Sequence, residues 1–142
     1  MNPLFCPIRK ALVARTPEEE VRQALLHAMI KRWEFPSSLI LVEKELQQLP
    51  FLAVKGGLPQ RRIDILALYH TKEGVRPLLL IECKQKKLTE ESVRQLFGYN
   101  FYIQAPFIAL VSSSKFVIYR MQKETLFPFS EEPFYKKIIS KI

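Results

Sequence analysis

The sequence predicts an α/β fold of mixed α+β type, with a mixed central sheet flanked by helices and the element order α-β-β-β-α-β-β. Three observations predict it. Short aliphatic runs bounded by turn-forming or charged residues recur at 39–46, 62–69, 77–84, 107–111 and 116–121, and read as strands. Two stretches, after Thr16 and after Thr89, carry apolar residues at helical spacing behind a capping residue. The 142-residue length is that of one domain with a real core.

Residues 1–15 read as a short arm containing Pro3 and Pro7. Thr16, Pro17, Glu18 and Glu19 start the first helix: Thr16 as N-cap, Pro17 in the first turn, Glu19 at the capping-box position. Val21, Leu25 and Met29 form its apolar stripe, and the helix ends before Pro36. Residues 39–46 read as a strand, and 47–60 as a loop containing Pro50, Gly56, Gly57 and Pro59. The runs at 62–69 and 77–84 are joined by a link short enough for a hairpin that contains Gly74. Thr89, Glu90 and Glu91 cap the second helix, whose inward residues are expected to be Val93, Leu96, Phe97 and Phe101. Pro106 ends it, and the last two strands join through a tight turn at 112–115. The folded domain is expected to span 16–121, with 122–142 a tail closing in a short helix that packs on the domain or on a partner.

Charge within the second and third strands carries the functional signal. Asp64 lies between Ile63 and Ile65; Glu82 and Lys84 follow four aliphatic residues. A turn centred near Glu73 puts Asp64 across from Glu82. Alternation gives Glu82 and Lys84 one face and Cys83 the other, with Cys83 pointing into the core. Two facing carboxylates are unfavourable unless a cation lies between them, and hard divalent cations prefer carboxylate oxygens. The bland alternative is a solvated Glu–Lys pair at a strand end. The apolar flanks weigh against it, since buried positions rarely carry charge without a role.

The net charge of +8 and pI near 9.6 point to a polyanionic partner. Arg61, Arg62, Lys86 and Lys87 flank the acidic cluster and are the candidate nucleic-acid contacts. No apolar run approaches the roughly 20 residues of a membrane span, and no secretory signal is expected. Cys6 and Cys83 stand far apart outside any C-x-x-C context, which fits a reducing cytoplasm. His27 and His70 fit no nucleophile arrangement, so a Ser or Cys hydrolase is not expected.

The ordered set of Thr16–Gln23, Arg61 to Ile65, Leu80 to Lys84, then Gln95 with Tyr99 and Asn100, resembles the PD-(D/E)xK restriction-endonuclease-like superfamily. Within it, the chain looks most like the N-terminal nuclease domain of type I restriction enzyme R subunits, over residues 16–121. The resemblance implies a restriction-endonuclease-like core and metal-dependent hydrolysis of DNA phosphodiester bonds. It implies that Asp64, Glu82 and the Cys83 backbone carbonyl hold Mg2+, with Mn2+ as substitute. Lys84 would orient or polarise the attacking water, and Glu19 and Gln95 would complete the site, with Glu18 as the alternative to Glu19. The implied partner is DNA, with RNA as the alternative, and a homodimer or a partner subunit is a further expectation. Ile63 departs from the proline of the motif's name, and Ser112, Ser113 and Ser114 replace the Thr-Asn-Gly common in relatives, which leaves the role of that turn open. No Walker sequence occurs, so the reading is a nuclease domain without a motor, or a catalytically weak binding or interaction subunit with the same fold.

Overall fold

In the computed structural model, residues 2–52 and 56–142 are described. A six-stranded mixed sheet is sandwiched between helices. Its strands are β3 (Ile40–Glu45), β4 (Arg62–Thr71), β5 (Gly74–Cys83), β6 (Phe107–Val111), β7 (Phe116–Gln122) and β8 (Thr125–Pro128), lying side by side in chain order. All neighbours are antiparallel except β5 and β6. That parallel pair needs a crossover, which helix α2 (Glu90–Ile103) supplies. Helix α1 (Pro17–His27) covers the opposite face. The α-β-β-β-α-β-β order is therefore present, with additions at both ends.

Each helix is delimited by its own residues. Thr16 Oγ1 accepts the Glu19 N–H at 3.1 Å. Helix α1 passes into a π-helical turn, Ala28–Arg32, before Pro36. Thr89 and Ser92 cap α2 reciprocally. At the other end Gln104 turns left-handed (φ 59°). The Asn100 side chain both accepts the Ala105 N–H and donates to the Ala105 carbonyl, each at 2.9 Å, fixing the entry into β6.

The β4–β5 register depends on one extra residue. The two-residue turn at Lys72 and Glu73 pairs Thr71 with Gly74, whose φ is 107°. Continued unbroken, that pairing would set Asp64 across from Ile81. A bulge intervenes: Leu68 pairs with Pro77 but Ala67 pairs with Leu79. Leu78 is the inserted residue, and Ile65 meets Ile81, so Asp64 comes to lie across from Glu82. The bulge also accommodates Pro77, which cannot donate to the ladder.

Two cores result. On the α1 side Leu25, Leu26 and Met29 pack on Val42, Ile65, Ala67, Ile81, Cys83 and Ala109. On the α2 side Leu96, Tyr99 and Ile103 pack on Ile63, Leu66, Leu80 and Leu110. Phe101 is a correction to the expected inward stripe: it is 62% exposed, and Tyr99, Asn100 and Ile103 are buried instead. A strict four-residue spacing drifts about 40° per step around a helix, so the series Val93, Phe97, Phe101 walks off the buried face.

The termini join the domain more fully than the sequence suggests. The arm forms a small hairpin of β1 (Leu4–Cys6) and β2 (Ala11–Val13), and Cys6 is buried in the α1-side core. Strand β8 extends the sheet past residue 121, through a turn in which Lys123 and Glu124 both have positive φ. Helix α3 (Tyr135–Ile139) folds back: Ile138 is buried, and the Tyr135 hydroxyl donates to the Leu68 carbonyl at 2.9 Å. The expected 47–60 loop begins with a 3-10 turn, Leu46–Gln48, and its residues 53–55 lie outside the described residues. Among the described residues no helix is long and apolar enough to cross a membrane.

Candidate active site

Strands β4 and β5 part at the end of their ladder. Pairing stops at Ile65 and Ile81, and the Cys83 N–H donates to Asp64 Oδ2 at 2.8 Å instead of to backbone. The fork is marked on β4 by a break in alternation. Ile65 and Ala67 face the α1 side and Leu66 the α2 side, yet Ile63, which should follow Ile65, packs in the α2-side core. On the neighbouring strand Glu43 takes a φ of 56°, between Val42 paired to Ile65 and Lys44 paired to Ile63. A left-handed non-glycine residue inside a strand is a strained conformation, and such strain clusters at functional sites.

The strain brings carboxylates together around Arg22. This side chain is 1% exposed. Its Nη2 lies 2.7 Å from Glu18, 2.6 Å from Glu43 and 3.2 Å from Asp64, and its Nη1 donates to Glu19. Oxygens of Glu18, Glu43 and Asp64 all fall within 4.8 Å of one another. Glu19 is held separately, by both Nη2 bonds of Arg9 at 2.8 Å and by Gln23 at 3.2 Å. Its side chain does not complete the capping box, because the Thr16 N–H donates to the Ala14 carbonyl.

Glu82 has different partners. Its Oε1 accepts from Arg61 Nη2, and its Oε2 lies 3.5 Å from Lys84 Nζ without a hydrogen bond. Arg61 stacks over the Tyr99 ring at 4.4 Å, linking the residue before β4 to helix α2. Among the described residues the buried Tyr99 hydroxyl has no hydrogen-bond partner. Lys84 is half-buried, and its N–H donates to the Val111 carbonyl at 2.8 Å.

Burial raises the Asp64 carboxyl above its usual range, against the lowering effect of the Cys83 N–H and Arg22. Burial also opposes ionisation of Glu19, but hydrogen bonds from Arg9 and Gln23 and the charge of Arg22 outweigh it and hold that carboxyl low. The Cys83 thiol is driven far up by burial and then by Asp64, so it is an inert core group. Burial pushes Tyr99 up to about 12, leaving it a neutral phenol.

The fork thus sets Asp64 across from Glu82, with Lys84 beside Glu82 and Cys83 in the α1-side core. It does not gather the two carboxylates on one partner, since Arg22 takes Asp64 and Arg61 takes Glu82. Of the two helix-1 acids, Glu18 joins the Asp64 group and Glu19 stands beside it. Gln95 is exposed and contacts only Glu91, at 3.5 Å, among the described residues. Arg62 reaches Glu43 and Glu45 at 3.8 Å, and Lys86 and Lys87 are exposed on the loop after β5. Sequence reasoning missed Arg22, and Lys44 and Glu45 make the stretch around Glu43 read as an ordinary half-exposed strand. A signal for Arg22 existed: it stands one turn before Leu26 and two before Met29, a charge on the buried stripe, four residues after Glu18.

No curated protein matches the chain. The family model for the type I restriction enzyme R protein N terminus (HSDR_N) matches residues 17–131, which takes in α1, α2, the fork and β8. The match covers most of the 142 residues, and the chain belongs to the family of type I restriction enzyme R protein N-termini.

Proposed function

We propose that this domain is a metal-dependent nuclease that hydrolyses DNA phosphodiester bonds. The observation that carries this reading is the fork: Asp64 and Glu82 just beyond the last β4–β5 pair, Lys84 just past the end of β5, and a Glu82 oxygen that is buried without a hydrogen bond among the described residues. Among the described residues that oxygen has only the Lys84 ammonium, 3.5 Å away, and a closer cation would offset the cost of its burial. The grouped carboxylates Glu18, Glu43 and Asp64 offer only oxygen, which suits a hard divalent cation such as Mg2+ or Mn2+. Asp64, Glu82 and the Cys83 carbonyl are the groups that would hold it, with Glu18 and Glu43 beside Asp64. A divalent cation there would neutralise charge on the scissile phosphate and lower the pKa of a bound water.

The chain's own residues do the rest. Lys84, as an ammonium, stabilises charge developing on the phosphate oxygens and orients the attacking water. Arg61 exchanges Glu82 for the DNA backbone while keeping its stack on Tyr99, which frees the carboxylate for its ligand role. Lys86, Lys87 and Arg62 draw the duplex in, giving strong salt dependence. Glu19 acts through Arg22, orienting the guanidinium that Asp64 contacts. Gln95, exposed on α2 and hydrogen-bonded to Glu91, would meet substrate from that helix. The two buried free cysteines fit a reducing compartment such as the cytoplasm.

A second reading, a binding or interaction subunit without cleavage, is favoured by one observation. Asp64 and Glu82 are each already paired with a protein cation. Cleavage assays with Mg2+, Mn2+ and EDTA separate the two. Metal-dependent cutting lost in Glu82→Ala supports the nuclease. Salt-sensitive DNA or RNA binding that Glu82→Ala leaves unchanged or strengthens, with no cutting, supports the subunit.

A further inference from the structure

Two loops leave the sheet side by side where the parallel strands β5 and β6 end. Cys83 pairs with Val111, so the chain after Cys83 and the chain after Val111 start as neighbours. Between them lies an open cavity of about 390 Å³, lined by Gln85, Lys86, Lys87, Leu88 and the turn of Ser112 to Lys115. Ligands of open sheets settle in this kind of position, outside the carboxyl ends of parallel strands.

Beside Leu88 and Gln85, the lining is basic and hydroxylic. Lys86, Lys87 and Lys115 supply ammonium groups, the three serines supply hydroxyls, and no carboxylate contributes. Among the described residues none of the three lysines makes an ion pair. At the fork itself Arg22, Arg61, Arg62 and Lys84 are matched to carboxylates, whereas these three lysines are not. The turn itself is fixed: the Ser112 N–H donates to the Lys115 carbonyl at 2.8 Å, and the buried Ser112 hydroxyl accepts the Ser114 N–H at 3.4 Å. Ser113 and Lys115 are exposed beside Lys86 and Lys87. Lys84 stands two residues before Lys86 on the same chain segment.

We propose that this cavity is an anchoring site for a backbone phosphate of the nucleic acid, flanking the phosphate at Lys84, with Ser113 and Lys115 as contacts alongside Lys86 and Lys87. The proposal rests on the nucleic-acid reading above and extends it to the β6–β7 turn. Backbone phosphates are bound by ammonium and hydroxyl donors of this kind, and they position the strand without reading sequence.

The test is binding of a fluorescent duplex oligonucleotide to the full chain in EDTA, across a salt series. Lys115→Gln should weaken binding and reduce the slope of log affinity against log salt by about one. Ser113→Glu should weaken it further, and a poly-glutamate peptide of equal charge should compete poorly. Lys136→Gln, on α3 and outside the cavity, should leave the slope unchanged; melting curves establish that each variant is folded. An unchanged slope in Lys115→Gln and Ser113→Glu, with wild-type binding intact, overturns the site and leaves the nuclease reading standing. Equal competition by poly-glutamate overturns its assignment to phosphate. A changed slope in a chain that cuts nothing with Mg2+ keeps the site and removes the nuclease. A wild-type chain that binds no DNA removes the site and the DNA partner together.

Discussion

On the Asp64 side of the fork, one arginine satisfies several acids at once. On the Glu82 side, a more exposed arginine holds one oxygen and leaves the other without a hydrogen bond. Arg22 is inaccessible and contacts Glu18, Glu19, Glu43 and Asp64. Arg61 is 40% exposed and reaches Glu82 from the segment before β4, braced by the Tyr99 ring. The first arrangement is a structural hub, because removing a buried ion's partner leaves uncompensated charge. The second is a pairing that solvent, a cation or a phosphate can replace at little cost. The difference teaches that neighbouring carboxylates on paired strands can divide the work, one ordering the fold and the other meeting the ligand.

The largest expected effect breaks the hub. Arg22→Leu should destabilise the domain by about 3–5 kcal/mol, measured by urea unfolding, with Arg22→Lys losing less. If Arg22 stands in for a cation, Mn2+ should raise the melting temperature of a folded Arg22 variant more than that of wild type. Equal shifts would make Arg22 a purely structural ion.

Next is the opposite pH behaviour of Glu19 and Asp64. Glu19 has a depressed folded pKa, so its stabilisation is present above the unfolded value near 4.3 and is lost as pH falls through the folded value. Asp64 has a raised folded pKa, so its contribution is present below the unfolded value near 3.9 and is lost as pH rises through the folded value. Across unfolding curves from pH 3 to 7, Glu19→Gln should lose ground to wild type as pH rises, and Asp64→Asn should gain it. Parallel trends would contradict the contrast.

The Glu82 side should respond less. Arg61→Ala should cost about 1 kcal/mol or less of stability yet weaken DNA binding. A loss as large as that from Arg22 would erase the comparison. Smallest of all, Gln95→Ala should stay within about 0.5 kcal/mol of wild type, read in the same unfolding experiment.

Much of this arrangement was legible in the sequence, for reasons that differ by element. Thr16 and Thr89 announce their helices because capping is local chemistry. The facing of Asp64 and Glu82 followed from a turn centred near Glu73. The chain reaches the same register with a tighter turn and the Leu78 bulge, which only Pro77 hinted at. Arg22 stayed hidden because two of its four partners, Glu43 and Asp64, come from β3 and β4, and long-range charge pairing leaves no periodicity. Glu43 stayed hidden because its left-handed backbone breaks the alternation on which a strand reading depends. Phe101 misled because an apolar residue at near-helical spacing need not lie on the buried face. The closing helix was expected, but the β8 strand needs its pairing with β7 to exist.

The most direct measurement is cleavage of a panel of single-stranded, duplex and branched DNA in Mg2+, Mn2+ and EDTA, with wild type beside Glu82→Ala and Lys84→Ala. The account expects metal-dependent cutting by wild type that both substitutions abolish, with both variants folded. A folded wild type that cuts no DNA form, or a Glu82→Ala variant that cuts as well as wild type, would contradict it.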